Sequence, residues 1–224
     1  LSTVETPASI RWAEEARKGR RRLYPVTAVY IGLCLTALVM GLRSPRPATA
    51  LATFVAGLAF WTWVEYLIHR WILHGRFPDG PGFRHVTHFL FDHLHLEHHE
   101  RPWDGNHING TLKDSAWFVL PIFLASLLLP AWSLTCFFAG VIQAGIAEEW
   151  VHHSVHFYHF NNLYFRYIKR HHMYHHSPKG DNEGFGLTNG FWDMVYGTRI
   201  PAPVRTALYG SLWRGGSTRA RPAA

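Results

Sequence analysis

Residues 23–42 contain no charged side chain, and a helix of that length crosses the roughly 30 Å hydrocarbon layer of a membrane. A turn rich in arginine and proline occupies 43–47, and a second uncharged run fills 48–64. Apolar runs at 115–130 and 134–147, joined by a turn at 130–133, repeat the arrangement. The pattern predicts an all-α integral membrane protein with four transmembrane helices in two hairpins. The later runs are short, so a tilted or re-entrant second hairpin is expected, and Pro121 is placed to kink the third span. The mean hydropathy of −0.06 hides these runs, because histidine and arginine elsewhere cancel them in the average. A cleaved leader is the weaker reading of 23–42, since no small-residue cleavage site follows.

Three regions are expected: a basic N-terminal segment at 1–22, a single membrane domain at 23–200 and a loosely ordered basic tail at 201–224. Ser9 is placed to cap a short interfacial helix that ends in Arg17, Lys18, Arg20, Arg21 and Arg22. The formal net charge of +7 points to anionic lipid headgroups. Nucleic acid is excluded as a partner, because no recognition motif accompanies the charge. Cys34 and Cys136 both lie within apolar runs and read as small buried residues, not as a disulfide or metal ligands.

Ten of the seventeen histidines form four spaced groups beside the apolar runs. They are His69 and His74; His95, His98 and His99; His152 and His156; and His172, His175 and His176. Neutral imidazole offers a nitrogen lone pair near physiological pH, which makes histidine the commonest metal ligand. Positions i, i+3 and i+4 share a helix face, so each H-x-x-H-H group is expected to aim its rings at a common point. The five-residue step from His69 to His74 calls for a bend or helix end between them. Two hairpins bring all four groups to one side of the membrane. The basic cluster at 17–22 lies there too and assigns that side to the cytoplasm, against the weaker pull of Arg43 and Arg46 in the opposite turn.

Ten ligands shared by two metals give about five each, more than the four that zinc usually takes. Imidazole-rich sites with an open position favour iron, so two iron ions with dioxygen as co-substrate are expected, zinc being able to replace them in a purified sample. Metal-bound imidazoles usually give their second N–H to a carboxylate or carbonyl. Glu65 and Glu148, one turn before His69 and His152, are candidate partners, with Glu97 and Asp193. A metal-buffering loop is the non-enzymatic alternative, but such loops rarely repeat H-x-x-H-H. The remaining histidines, His85, His88, His93, His107, His153, His159 and His171, read as surface or supporting residues. Spacing alone selects His152 over His153 and His172 over His171.

The groups, in this order, resemble the fatty acid hydroxylase superfamily, which includes sterol desaturases and fatty acid 2-hydroxylases. The stretch Glu65-Tyr-Leu-Ile-His-Arg-Trp-Ile-Leu-His74 looks like its first histidine box. Thr87-His-Phe-Leu90 with His95-Leu-Glu-His-His99 and Arg101-Pro-Trp-Asp104 resembles the second. His152 to His156 resembles the third and His172-Met-Tyr-His-His176 the fourth. Gly184-Phe-Gly-Leu-Thr-Asn-Gly-Phe-Trp-Asp193, with Tyr196-Gly-Thr198, looks like its closing signature. The resemblance covers roughly residues 60–200 and implies four spans capped by a cytosolic helical domain. It also implies a diiron oxygenase in which the ten histidines named above hold the metals. Such an enzyme hydroxylates or desaturates an unactivated C–H position of a lipid, with a fatty-acyl chain leading over a sterol, carotenoid or specialised metabolite. The 105–110 segment departs from the pattern of fatty acid 2-hydroxylases and leaves the substrate open. No haem, iron–sulfur or flavin signature occurs in the chain, so electrons are expected from a separate ferredoxin or cytochrome with an acidic face. Trp61, Trp63, Tyr66, Phe89 and Trp117 are candidate linings of the acyl slot, although packing or interfacial anchoring is the commoner role for each.

Overall fold

The computed structural model describes residues 7–88, 95–129 and 132–213, and among these all regular structure is helical. α1 (Pro7–Leu42) turns into α2 (Pro47–Leu67), which runs on into a π-helical turn, Ile68–Leu73. Two short helices, α3 (Phe83–Thr87) and α4 (Glu97–Glu100), precede α5 (Leu112–Leu127) and α6 (Trp132–Phe157). α7 (Leu163–His175), α8 (Phe191–Tyr196) and α9 (Ala202–Trp213) follow. His93 and Phe89 lie outside the described residues.

α6 is the central helix and packs along both α1 and α2. Its approach to α2 depends on two glycines. A Cβ on Gly57 would stand 2.1 Å from the Phe137 carbonyl oxygen, and one on Gly140 would stand 2.1 Å from that of Phe54. Small residues of this kind let helix backbones touch where lipid gives no hydrophobic drive. On the other side of α6 the two buried thiols bridge to α1: Cys34 Sγ donates to the Ala139 carbonyl at 3.2 Å and Cys136 Sγ to that of Ala37 at 3.5 Å. Both cysteines are free and buried.

Among the described residues, three helical stretches are long and apolar enough to cross a membrane: Arg11–Leu42, Pro47–Leu73 and Trp132–Phe157. The expected third span is α5, whose 16 residues reach only about 24 Å at 1.5 Å per residue. Thr111 and Asp114 form a reciprocal capping box that fixes where α5 starts, which leaves the apolar run too short for a full crossing.

The two ends of the chain differ from expectation. The basic segment is not a separate interfacial helix; it is the first half of α1, continuous through Pro25. Proline there removes one backbone donor, and docking against the histidine-bearing end holds the helix in place. Trp12 Nε1 donates to the Phe157 carbonyl at 3.1 Å, and the Gly105 N–H donates to Glu15 at 3.0 Å. Gly105 has no room for a side chain, since a Cβ would meet the Glu15 carbonyl oxygen at 2.0 Å. The departing 105–110 segment is therefore a docking site for α1. Of the expected 201–224 tail, Ala202–Trp213 is a helix, and 214–224 lie outside the described residues. Leu212 of this helix is buried, and the Leu208 carbonyl accepts from Arg170 of α7.

Candidate metal centre

The π turn settles the five-residue step in the first histidine group. The His74 N–H donates to the His69 carbonyl at 3.1 Å, the i→i+5 bond of a π-helix, and this brings both rings to one side. His98 and His99 come from α4 and His95 from the turn before it. α6 supplies His152 and His156, and the last turn of α7 supplies His172 and His175, with His176 at its cap.

The ten rings converge as two groups of five. His69, His74, His95, His99 and His175 form one, and His98, His152, His156, His172 and His176 the other. Within each group one ring nitrogen per residue lies within 4.8 Å of the rest. Each H-x-x-H-H triplet thus divides two to one instead of aiming at a single point. Residues four apart on a helix nearly eclipse, whereas neighbours diverge by about 100°. His95 and His99 therefore go one way and His98 the other; His172 and His176 separate from His175 in the same manner. The groups share a wall in which the His99 and His176 rings stack at 4.1 Å. His153 and His171 point elsewhere: His153 Nε2 donates to the Ala16 carbonyl at 2.9 Å, and His171 meets Tyr209 and Asp193 at 2.9 and 3.2 Å.

The donor set fits metal ions. Facing Nε2 atoms lie 2.8–3.2 Å apart in the pairs His74–His95, His74–His175, His98–His152, His156–His172 and His172–His176. Ligands at right angles around an ion with bonds near 2.1 Å are separated by about 3 Å. One proton per neutral ring cannot serve all these contacts, and among the described residues the Nε2 atoms of His69 and His99 are buried with no partner. Burial and then the neighbouring imidazoles hold His95, His98 and His172 well below the usual histidine range. The same causes bring His99 to about 2 and His175 to about 3. Neutral rings with free lone pairs are what a cation requires.

The loop after α7 sets ring orientation. His69 Nδ1 donates to the Phe185 carbonyl and His175 Nδ1 to that of Glu183 at 2.9 Å, which leaves Nε2 of each for a ligand bond. Glu65 and Asp193 act on this loop and do not touch a clustered ring among the described residues. Glu65 accepts from the backbone of Leu187 and Thr188 at 2.5 and 3.0 Å and from Thr188 Oγ1 at 2.6 Å. Asp193 accepts from the backbone of Phe185 and Gly186 at 2.8 and 3.1 Å and from Thr198 Oγ1 at 2.8 Å. Although burial opposes its charge, these bonds and His171 hold Asp193 below the usual carboxylate range. Glu148 accepts from Trp61 at 3.2 Å, and Glu97 pairs with His107 and Arg101. The carbonyls of Glu183 and Phe185 were invisible to motif reasoning, which sees side chains. The glycines beside them were the available signal: Gly184 has φ +71°, and a Cβ on Gly186 would meet the Asn189 carbonyl oxygen at 1.8 Å.

A mainly apolar cavity of about 290 Å³ lies between α1, α5 and α6. Tyr30, Val119, Phe123 and Ile142 line it, and Trp61, Glu148 and Glu149 form its polar wall one turn from His152. Of the described aromatic residues read as slot linings, Trp61 is the one that faces this cavity. Tyr66 is fully buried and stacks on Tyr196, Trp63 donates to the Tyr196 hydroxyl at 2.8 Å, and Trp117 is exposed.

Residues 54–198, which span every clustered histidine, match the family model described as fatty acid hydroxylase. The chain belongs to the fatty acid hydroxylase family. Among similar relatives, fatty acid 2-hydroxylase of Mus musculus is 30% identical over 66% of this chain and 39% of its own length. The ceramide very long chain fatty acid hydroxylase SCS7 of Saccharomyces cerevisiae is 30% identical over 83% of this chain and 46% of its own. This family member therefore spans less than half the length of those relatives. A solved structure titled full length scs7p, with only its hydroxylase domain visible, superposes with a TM-score of 0.69. That match has 26% identity and covers 80% of this chain and 67% of the other.

Proposed function

We propose that this chain is a membrane-bound diiron oxygenase that hydroxylates the acyl chain of a lipid. The observation that carries the reading is the pair of five-imidazole groups set side by side at the C-terminal ends of α2 and α6. The ten histidines named above would hold the two irons, which when bound supply the activation of dioxygen with two electrons from an external donor. The chain's own residues do the rest. The Glu183 and Phe185 carbonyls fix ring tautomers, Glu65 and Asp193 hold those carbonyls in place, and the cavity positions an acyl chain away from water. The relatives named as 2-hydroxylases favour hydroxylation over desaturation. α5 serves as a short fourth membrane segment beside the cavity. The basic α1 segment favours a cytoplasmic metal site and an electron donor with an acidic face.

Lipid mass spectrometry of cells expressing the protein with a competent donor tests this. Wild type should give lipids heavier by one oxygen, and His175→Ala should abolish them. Val119→Trp, which fills the cavity, should lower the product about tenfold, as expected for a misplaced substrate, while leaving metal content unchanged. No mass change in wild type, or an unchanged yield in His175→Ala, contradicts the assignment.

A further inference from the structure

A second built cavity, of about 230 Å³, opens between α7, α8 and α9, away from the histidine groups. Tyr167 and His171 of α7, Met194 of α8, Arg199, and Arg205 and Tyr209 of α9 line it. Tyr209, His171 and Asp193 bond to one another along one wall, which leaves the two guanidiniums as the donors that face this small space uncommitted. Among the described residues neither arginine has a hydrogen-bond or ion-pair partner for its side chain, and Nη1 of Arg205 is buried without one. The carboxylate beside this wall, Asp193, is already taken by His171, Thr198 and two backbone N–H groups. A buried unpaired guanidinium nitrogen is costly, and an anion relieves that cost.

The surroundings indicate where the anion comes from. α8 hangs from the last part of α2: Trp192 Nε1 donates to Thr62 Oγ1 at 3.0 Å, and Trp63 Nε1 to the Tyr196 hydroxyl at 2.8 Å. About 20 residues cross the hydrocarbon layer, so a span entered at Pro47 places Thr62 and Trp63 near its inner edge. At that level α8 presents Phe191, Met194 and Val195, each more than half exposed. Apolar side chains directed outward beside an unpaired arginine pair match an interface of acyl tails and headgroups. We infer that the cavity between α7, α8 and α9 binds the phosphate of an anionic phospholipid, with Arg199 and Arg205 as its principal contacts. The inference rests on the membrane placement of α2, not on the metal chemistry, and its readout is independent of turnover.

Native mass spectrometry of the detergent-solubilised full chain, titrated with short-chain phosphatidylglycerol, tests it. Phosphatidylcholine of the same chain length and inorganic phosphate run in parallel. One phosphatidylglycerol per chain should be retained, and Arg199→Gln or Arg205→Gln should each weaken it about tenfold, as for one lost charge-assisted contact. Arg205→Lys should fall between, and the paired change of exposed Arg17 and Arg21 to Gln should leave retention unaltered. Should Arg205→Gln fail to fold, as judged by its unfolding midpoint, the exposed Arg199→Gln still decides the matter. Unchanged retention in Arg199→Gln overturns the site. Phosphatidylcholine bound as tightly overturns the need for net charge, and inorganic phosphate bound as tightly overturns the lipid source.

Discussion

His152 and His153 are adjacent and both buried, yet their helix separates them by about 100° and gives them different work. His152 faces His98, whereas His153 ties α6 to the backbone of α1 at Ala16. Elemental analysis of purified variants separates the roles: His152→Ala should lose about half of the bound metal, and His153→Ala should keep nearly all of it while unfolding at lower temperature. Equal metal loss from both variants contradicts the division. A second consequence concerns protons. His99 and His175 sit near 2 and 3 when folded, against about 6.5 in an unfolded chain. Between those values the unfolded state binds more protons, so the stability of metal-stripped protein rises with pH and is lost as pH falls below about 6.5. Thermal unfolding in detergent should show a midpoint that drops from pH 7 to pH 5; a flat profile contradicts the burial argument. All ten converging histidines were legible from spacing, because imidazole and helical periodicity declare themselves. Their division into two groups was not, since it depends on how four separate segments approach one another.

Helix packing carries a different kind of information. The apolar runs announced α1, α2 and α6, but the crossing of α2 and α6 depends on Gly57 and Gly140, which look unremarkable in an apolar stretch. Their role appears only where each faces a carbonyl oxygen of the opposite helix. Gly140→Leu should exceed the roughly 1–3 kcal/mol cost of ordinary overpacking, because the obstructing atom is backbone and cannot rotate away. The expected result is loss of folded protein on size-exclusion chromatography, while Gly32→Leu, with no atom of the described residues near its Cβ position, should elute as wild type. Folded Gly140→Leu at wild-type yield contradicts the close crossing. The N-terminal segment was misread for a related reason. A basic amphipathic stretch suits a membrane surface, and its docking on protein appears only in the contacts that Trp12, Glu15 and Ala16 make with Phe157, Gly105 and His153.

For the molecule as a whole, apolar helices hold a cavity beneath a polar end where ten imidazoles meet. α6 joins the two, since it lines the cavity at Ile142 and Glu148 and supplies His152 and His156 one and two turns later. The loop at 183–190 closes the opposite side through backbone carbonyls held by Glu65 and Asp193. An oxygenase acting on a lipid chain requires this combination of apolar slot and adjacent metals, with two metals at that end. Elemental analysis of the intact protein, purified from iron-sufficient cells, measures that count most directly. Two metal ions per chain, iron or iron partly replaced by zinc, are predicted; one ion per chain, or none, contradicts the account.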